Sequence, residues 1–272
     1  ETIMKTLKYG DKRNHSIPIV KPIFFEENGE LELDPYLMGA LLGDGTFRNA
    51  PGFSCGDNEI IENISSLVKK YDCSLNKRSK YDFSISRVNN KKPNNIKNII
   101  KSFGLWHLKS EDKFIPQKYL LSSIENRIKL LQGLMDTDGT IDKDSGHITF
   151  TTTSKIMSSD FQFLVHSLGG TAVTNDRITK YTYKNELKNG KRSYRTSVVL
   201  PNEIDIFSLQ RKKSLVIKRT KYFPRRYIDS VEYVGIKEAQ CIMVEDESHL
   251  YLTDDFIVTH NTLCAIATGL EQ

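Results

Sequence analysis

Residues 37–45 read LMGALLGDG, and residues 131–139 repeat the same design as LQGLMDTDG. In each stretch an apolar helical pattern stops at an Asp-Gly pair, with Asp44 in the first copy and Asp138 in the second. One Asp-Gly pair after a helix is compatible with a simple turn. Two copies with matched flanks favour a duplicated helix that ends in a carboxylate, and this duplication decides the fold.

Start and stop signals frame both predicted helices. Asp34 is a good N-cap with Pro35 at the first helical position, and residues 122–125, SSIE, read as a capping box. Gly45 and Gly139 follow the aspartates, where we expect them to supply a left-handed stop. The sequence therefore predicts where each helix begins and ends.

Glycines lie inside both helices, at Gly39, Gly43 and Gly133. Each costs about 1 kcal/mol relative to alanine in a helix, so we expect close packing of one helix on the other to offset that cost. Such packing would bring Asp44 and Asp138 together at the negative ends of two helix dipoles. Two carboxylates there repel each other unless cations are bound, and hard oxygen ligands suit Mg²⁺.

The repeated pattern resembles the LAGLIDADG homing endonucleases, whose two motif helices form the interface of a pseudo-twofold enzyme. The resemblance implies that the last acidic residue of each copy, Asp44 and Asp138, binds divalent metal and cleaves DNA. The first copy departs from the family pattern at Ala40, Leu42 and Gly43, which leaves the metal-binding position intact.

We therefore predict an α+β protein with a pseudo-symmetric αββαββα endonuclease and a small all-β splicing (Hint-type) remnant. In both halves the motif is followed by a capped amphipathic helix and by alternating strands. The expected divisions are a linker at 1–30, an endonuclease domain at 31–226 with halves of about 31–121 and 122–226, a splicing segment at 227–261, and the start of a host segment at 262–272.

Lysines that lie between the two motifs and after the second motif are candidates for a catalytic role. Residues 113–116, KFIP, resemble a block that precedes the second motif in intein endonucleases, where the lysine belongs to the catalytic site. Lys113 could neutralise charge that develops on the attacked phosphate. In the second half the sequence does not choose between Lys212 and Lys213.

The basic residues are concentrated in two stripes. The net charge is +5, residues 69–101 hold ten Lys/Arg against two acids, and residues 180–221 hold twelve against three. One stripe in each repeat favours a polyanionic partner, and polar strand faces could enter the major groove of double-stranded DNA. The candidate DNA-binding residues are Lys77, Arg78, Lys80, Ser84, Ser86, Arg87, Lys180, Thr182, Lys184, Arg192 and Arg195.

Residues 259–262, THNT, carry a second chemistry. The side-chain amide of an asparagine such as Asn261 can attack its own carbonyl and cut the following peptide bond, while a hydroxyl such as that of Thr262 can hold an acyl group. The stretch that ends here resembles the C-terminal splicing blocks of an intein. The resemblance implies that Asn261 cyclises, that His260 and the upstream His249 assist, and that Thr262 opens the downstream host segment.

The resemblance also implies an N-terminal splicing block, which is not in this sequence. We expect a fragment or one piece of a split intein, whose partner would be an N-terminal intein fragment and which would not splice alone. Residues 262–272 resemble the helix after a Walker A loop, and their sequence is similar to that of a PhoH-like P-loop ATPase.

The expected function is Mg²⁺-dependent, site-specific cleavage of double-stranded DNA by a monomeric intein-encoded endonuclease. Two alternatives stay open: a non-cleaving nucleic-acid binder such as a maturase or regulator, and a splicing module with a decayed endonuclease. The four cysteines show no zinc or disulfide spacing, which fits a cytoplasmic protein, and no apolar run predicts a membrane span.

Overall fold

The computed structural model describes residues 2–26, 29–89, 91–183, 186–218, 225–236, 238 and 242–260. Three predicted site residues, Lys184, Asn261 and Thr262, lie outside the described residues, as does the segment 262–272. None of the helices in the described ranges is long and apolar enough to cross a membrane.

The chain folds into two halves of equal topology, preceded and followed by short elements. The N-terminal elements are α1 (Thr2–Lys5), β1 (Lys8–Tyr9), β2 (Lys12–Arg13) and β3 (Ser16–Pro18). The first half consists of α2 (Pro35–Asp44), β4 (Gly45–Thr46), β5 (Gly52–Ser54), α3 (Asn58–Lys69), β6 (Cys73–Lys77), β7 (Asp82–Arg87) and α4 (Asn95–Ser102).

A short helix, α5 (Gln117–Leu120), joins the halves. The second half consists of α6 (Ile124–Asp138), β8 (Gly139–Ile141), β9 (Ile148–Thr152), α7 (Lys155–Ser167), β10 (Thr171–Tyr183), β11 (Glu186–Val199) and α8 (Gln210–Lys213). The C-terminal elements are β12 (Arg225–Tyr227), β13 (Leu250–Thr253), a 3-10 turn (Asp254–Phe256) and β14 (Ile257–His260).

Each half forms a four-stranded antiparallel sheet with the same strand order. The first sheet runs β4-β5-β7-β6 and the second runs β8-β9-β11-β10. In both sheets the last two strands of the half exchange order, so the halves are topological copies. The predicted α+β class and the αββαββα layout are confirmed.

Helices α2 and α6 pack against each other through their glycines. A Cβ atom on Gly39 would lie 3.0 Å from the backbone nitrogen of Leu134, and one on Gly133 would lie 2.8 Å from that of Ala40. The flanking side chains of Leu37 and Met38 are fully buried. Close backbone approach therefore offsets the low helix propensity of these glycines, as the sequence predicts.

The helix starts follow the predicted caps with one correction. Asp34 Oδ1 accepts hydrogen bonds from the backbone nitrogens of Tyr36 and Leu37 at 3.0 and 3.3 Å. The second motif helix is capped by Ser123, whose Oγ accepts from the backbone nitrogen of Asn126. The predicted capping box over 122–125 is wrong, because a cap at Ser123 places asparagine rather than glutamate three residues later.

The predicted left-handed stop at Gly45 and Gly139 is also wrong. Both residues are extended, with φ of −79° and −83°, and each opens a strand directly. Glycine is needed here for space rather than for positive φ. A Cβ on Gly45 would lie 2.8 Å from the carbonyl carbon of Leu41, and one on Gly139 would lie 2.6 Å from Cε of Met135.

The segment 1–30, expected to be a linker, is partly structured. Strand β3 pairs antiparallel with β12, so that Ile17 lies opposite Arg226. The backbone nitrogen of Ile23 donates to the carbonyl of Ser167 at 2.9 Å. The β3–β12 pairing joins the N-terminal and C-terminal segments, and the Ile23 bond ties the N-terminal segment to α7. The linker at 1–30 stays a prediction. Within the described part of 227–261, the strands are the end of β12 and the hairpin β13–β14.

Candidate active site at the helix interface

Asp44 and Asp138 lie at the C-terminal ends of α2 and α6, where the two helices meet. Burial raises the pKa of Asp138 to about 7, and the negative charge of Asp44 adds to that rise. Burial also raises the pKa of Asp44. The expected meeting of the two carboxylates is found, and both are held where the charged form is disfavoured unless a cation is near.

Lys113 is a buried cation at this place. Its Nζ donates to four carbonyl oxygens at the end of α2: Leu41 at 3.2 Å, Leu42 at 2.8 Å, Gly43 at 3.3 Å and Gly45 at 2.7 Å. Burial lowers the pKa of Lys113 to about 8, although the charges of Asp138 and Asp44 oppose that shift. The ammonium group thus satisfies the carbonyls left free at a helix end and offsets the helix dipole.

Lys212 occupies the matching place in the second half. Its Nζ donates to the carbonyl oxygens of Met135, Asp136 and Gly139 at 2.8, 2.7 and 2.7 Å. Burial lowers the pKa of Lys212 to about 8. Lys213 instead forms an ion pair with Asp205 on the surface. The sequence left Lys212 and Lys213 open, and the geometry singles out Lys212 as the counterpart of Lys113.

Asp136 is a site residue that the sequence analysis did not identify. It is buried, and its carboxylate accepts from Tyr36 Oη at 2.9 Å and from the backbone nitrogens of Ser208 and Leu209 at 3.1 and 3.2 Å. It thereby joins α2, α6 and the start of α8, which carries Lys212. The available signal was the second aspartate in LMDTDG, a position that holds Leu42 in the first copy.

Gly43 and Thr137 form a matched pair beside the carboxylates. A Cβ on Gly43 would lie 3.0 Å from Cβ of Thr137 and 3.2 Å from Oδ2 of Asp138. Thr137 Oγ1 donates back to the carbonyls of Gly133 and Leu134, both at 3.0 Å. The departure from the family pattern at Gly43 therefore makes room for the larger side chain in the second copy.

Two cavities open on either side of the aspartates. One, of about 560 Å³, is bordered by Asp44, Asp136 and Arg211. The other, of about 280 Å³, is bordered by Asp44, Asp138 and Lys113. Asp44 contributes to both, so water or a phosphate group can reach Asp44 from either cavity, and the second cavity also reaches Asp138.

The donor set fits a divalent cation that is shared with a ligand. In the described ranges no group of three or more His, Cys, Asp or Glu side chains is placed to hold a metal ion. Mg²⁺ is commonly bound through one or two carboxylates together with substrate phosphates and water, rather than in an all-protein cage. Asp44 and Asp138 could hold such an ion, and their desolvated carboxylates favour one.

The candidate DNA-binding residues of the first half divide between the two faces of its sheet. Ser86 is on the polar face of β7, while strand pairing places Lys77 opposite Phe83 and Arg87 opposite Cys73, on the core side at the strand ends. Arg78 and Lys80 are exposed in the β6–β7 turn.

Ser84 needs a correction. It lies on the polar face of the first sheet, but it is buried beneath Arg78, whose Nε donates to Ser84 Oγ at 2.8 Å. The alternation of the sequence correctly predicted which face of the sheet carries Ser84. It did not predict that Arg78, in the neighbouring turn, covers this side chain.

The second sheet separates its candidates in a similar way. Arg195 is exposed and lies on the face opposite Phe150 and Ala172, with Nε 3.4 Å from Thr149 Oγ1. Arg177, which the sequence analysis missed, is exposed on that same face by strand pairing. The other described candidates lie on the same face of the sheet as Ala172, but they are exposed because they are in the part of the β10–β11 pair farthest from the core. They are Lys180, Thr182 and Arg192. Arg192 is paired there with Asp176 at 2.7 Å.

The histidines of the C-terminal segment form a separate cluster. Strands β13 and β14 pair so that Leu250 lies opposite His260. This register brings the rings of His249 and His260 to 6.1 Å between centroids. His249 has a left-handed backbone with φ of 53°. The two predicted splicing histidines are therefore neighbours.

Comparisons with known proteins found similarities to a family model, to a curated protein and to solved structures. Residues 125–207 match the family model described as LAGLIDADG-like domain. The chain is 29% identical over 258 residues to a protein of Mycobacterium intracellulare named replicative DNA helicase DnaB; the match covers 93% of this chain and 39% of that relative. The chain thus spans well under half the length of the relative.

Two solved structures illustrate the structural neighbours. The crystal structure of I-DmoI in complex with DNA and Mn is 13% identical and covers 62% of this chain and 89% of the other, with a TM-score of 0.39. The N-terminal LAGLIDADG domain of DUF199/WhiA is 11% identical and covers 67% and 86%, with a TM-score of 0.37.

Proposed function

We propose that this protein is a site-specific endonuclease that cleaves double-stranded DNA with the help of Mg²⁺. The observation that carries the proposal is the joint placement of Asp44 and Asp138 at two helix ends, with raised pKa values and with Lys113 and Lys212 fixed beside them. A structural turn would not need two desolvated carboxylates. Perturbed groups beside an open cavity are typical of a functional site.

The chemistry divides among the residues as follows. When bound, Mg²⁺ would supply Lewis-acid polarisation of a phosphate oxygen and would lower the pKa of water. Asp44 and Asp138 would hold the ion at the helix ends. Lys113 and Lys212 neutralise the helix C-termini, so that two carboxylates can ionise together. Asp136 holds α8 and with it Lys212.

The DNA partner is supported by the placement of exposed basic residues on both sheets. Arg78, Lys80, Arg177 and Arg195 are exposed, and the polar sheet faces carry hydroxyl side chains such as Ser86. Cations of this kind position a phosphate backbone, while the short polar side chains suit base edges in a groove. Because both halves belong to one chain, we propose that a monomer covers an asymmetric site.

The test is an incubation of the protein with DNA that carries the uninterrupted host gene around the insertion point. Cleavage with Mg²⁺ and none with EDTA is expected. Tight, salt-sensitive binding without cleavage in any divalent metal would instead support the non-cleaving maturase or regulator. A chain that neither binds nor cleaves but takes part in splicing would support the decayed endonuclease.

A second function, the C-terminal half of protein splicing, is favoured by the proximity of His249 and His260. We propose that these imidazoles polarise the carbonyl of Asn261 and move a proton while its side chain cyclises. Apolar side chains exposed between Tyr227 and Leu252, including Tyr233, Ile236 and Met243, are suited to cover by an N-terminal splicing fragment.

This second proposal has its own experiment. The chain is combined with an N-terminal intein fragment, and mass spectrometry follows ligation to Thr262. Asn261→Ala is expected to leave a branched intermediate. Release of the 262–272 peptide from the Asn261→Ala protein would contradict the proposal.

The host can be proposed from the curated relative. The wording of 262–272 favoured a PhoH-like ATPase, whereas the match that spans 93% of this chain is to a protein named as a replicative helicase. We propose that the chain interrupts a helicase ATPase, with 262–272 as the resumed host sequence. Sequencing the flanking gene tests this: a PhoH-like reading frame on both sides would restore the first expectation.

A further inference from the structure

The turn of the C-terminal hairpin is seated on helix α7 of the second nuclease half. Phe256, in the turn between β13 and β14, lies edge-on to Phe163 of α7 with ring centroids 5.0 Å apart. Phe25 stacks on Phe163 at 6.2 Å and lies 6.4 Å from Phe256. Three aromatic rings from three separate parts of the sequence thus form one contact.

The platform beneath the hairpin is rigidly built. The guanidinium of Arg127, on α6, lies 4.7 Å from the ring centroid of Phe25. Arg127 is fully buried and donates to the carbonyl of Ser167, the last residue of α7, at 2.9 Å. Phe25, which stacks on Phe163, is therefore held by an arginine of α6 that is itself bonded to the end of α7.

His166 lies beside the aromatic contact, between the start of β10 and the hairpin turn. Its Nε2 accepts from the backbone nitrogen of Ala172, at the start of β10, at 3.3 Å. Its Nδ1 faces Asp255 Oδ1 at 3.6 Å and has no hydrogen-bond partner in the described part of the chain. The imidazole is 7% exposed, so a buried nitrogen is aimed at the hairpin. Arg226 closes the other side by donating to the backbone carbonyl of Asp255.

The hairpin turn adopts a backbone that needs support. Asp255 and Phe256 both have positive φ, at 58° and 57°. Successive non-glycine residues in this region are strained and persist where the surroundings fix them. The same two residues make the contacts with α7, so docking and turn conformation depend on each other.

We infer that helix α7 of the nuclease half is the docking platform that positions the splicing hairpin, with Phe163, Phe256 and His166 as positioning residues for the step at Asn261. This inference rests on the proposed splicing function. The strands that leave the docked turn carry His249 and His260 at their far end, so movement of the turn moves both imidazoles. The nuclease half is thereby a structural support of splicing as well as a nuclease.

The experiment compares Phe163→Ala and Phe256→Ala with Phe24→Ala, a neighbouring phenylalanine that is 87% exposed. Hydrogen exchange of the amides in Leu250–His260 is measured first, because it does not depend on splicing. Both contact variants should exchange there about tenfold faster or more, since an aromatic pair of this kind contributes about one tenfold factor. Phe24→Ala should match the wild type, and amides of α2 and α6 should be unchanged in all three.

Cleavage at Asn261 is then timed in the chain combined with an N-terminal intein fragment. The contact variants should slow it by a similar factor, Phe256→Tyr should restore it, and the double variant should be no slower than the singles because both remove one contact. DNA cleavage by all variants should stay at the wild-type rate, which shows that the fold is intact.

The outcomes separate the inference from the function it rests on. Unchanged exchange in the hairpin overturns docking, whatever the splicing result. Faster exchange with an unchanged rate at Asn261 overturns the positioning role. A wild-type chain that never cleaves at Asn261 overturns the splicing proposal and with it the positioning role, whereas the exchange data still decide docking.

Discussion

Asp138 combines burial with the charge of Asp44, and both raise its pKa, to about 7. In a metal-free folded chain this carboxyl therefore stays protonated at pH values far above those at which an ordinary aspartate ionises. Between the ordinary pKa of an aspartate and about 7, the unfolded state holds an ionised carboxylate while the folded state keeps the buried carboxyl protonated. Folded stability from this group therefore falls as pH rises through that range, and the full penalty is present above about pH 7.

The raised pKa of Asp138 predicts a pH dependence of protein stability. In EDTA, Asp138→Asn should melt at a higher temperature than the wild type at pH 8, and the difference should shrink toward pH 5, where the wild-type carboxyl is protonated. Asp144→Asn, which removes an exposed carboxylate in the β8–β9 turn, is the matched control for the loss of an aspartate charge. A constant difference for Asp138→Asn across this range would show that its pKa is ordinary.

The two adjacent lysines of α8 allow a matched comparison. Lys212→Met removes a buried ammonium that bonds three carbonyls, whereas Lys213→Met removes a surface ion pair. Lys212→Met should slow single-turnover cleavage about 100-fold with little change in DNA affinity, since preorganised charge acts on rate. Lys213→Met should stay within about twofold of the wild type, because surface ion pairs contribute little. Equal losses in rate and affinity would make Lys212 a DNA contact.

At the scale of elements, the helix pair depends on backbone contact. Replacing a helical glycine by alanine ordinarily stabilises a helix by about 1 kcal/mol. Gly39→Ala should instead destabilise the protein by about 1 to 3 kcal/mol, because the new methyl group meets the backbone of α6. Urea unfolding measures this, and Ser66→Ala on the exposed side of α3 is the control. A more stable Gly39→Ala protein would disprove the close helix contact.

The Gly43–Thr137 pair gives a test by compensation. Gly43→Ala should reduce both stability and cleavage, since its methyl group would collide with Thr137 and press on Asp138. Adding Thr137→Ala should recover part of both losses, as expected for residues in contact. If the two substitutions are simply additive in unfolding and cleavage measurements, the pair does not touch as described.

Local signals in the sequence were sufficient to predict helices and several of their caps. They were insufficient to predict contacts between elements that lie far apart in the chain. Asp34 caps α2 as predicted, and the amphipathic helices that follow the two motifs are capped as expected, by Asp57 and Ser154, because each cap is a contact within a few residues. The conformation of Gly45 was missed because the following strand, rather than the helix, sets it. Lys212 could not be chosen over Lys213 without the position of the α6 carbonyls.

At the scale of the whole molecule, duplication explains why one chain carries two matched sets of parts. The repeat gave the paired aspartates and the equal sheet topologies. It did not give the asymmetric parts, which are the Asp136 network in the second half and the hairpin that docks on α7 through Phe256. Both of these join segments far apart in the chain, and neither has a counterpart in the first copy that a sequence repeat could reveal.

The salt dependence of DNA binding is a property of the whole molecule, because phosphate contacts from both sheets add to it. Binding should weaken steeply with rising salt as counterions are released, and Arg177→Ala together with Arg195→Ala should reduce that slope by about two. Asp44→Asn should leave the slope unchanged. Titrations at several salt concentrations measure both, and an unaltered slope in the double arginine variant would move DNA away from the second sheet.

The central claim is that Asp44 and Asp138 act as one site, and strand-resolved single-turnover cleavage tests it most directly. A duplex of the uninterrupted host sequence is labelled at both ends and incubated with wild type, Asp44→Asn and Asp138→Asn in Mg²⁺, with binding measured in parallel. Each substitution is expected to abolish double-strand cleavage while DNA binding persists. Cleavage of both strands at the wild-type rate by either variant would contradict the central claim and return these aspartates to the role of helix-end residues.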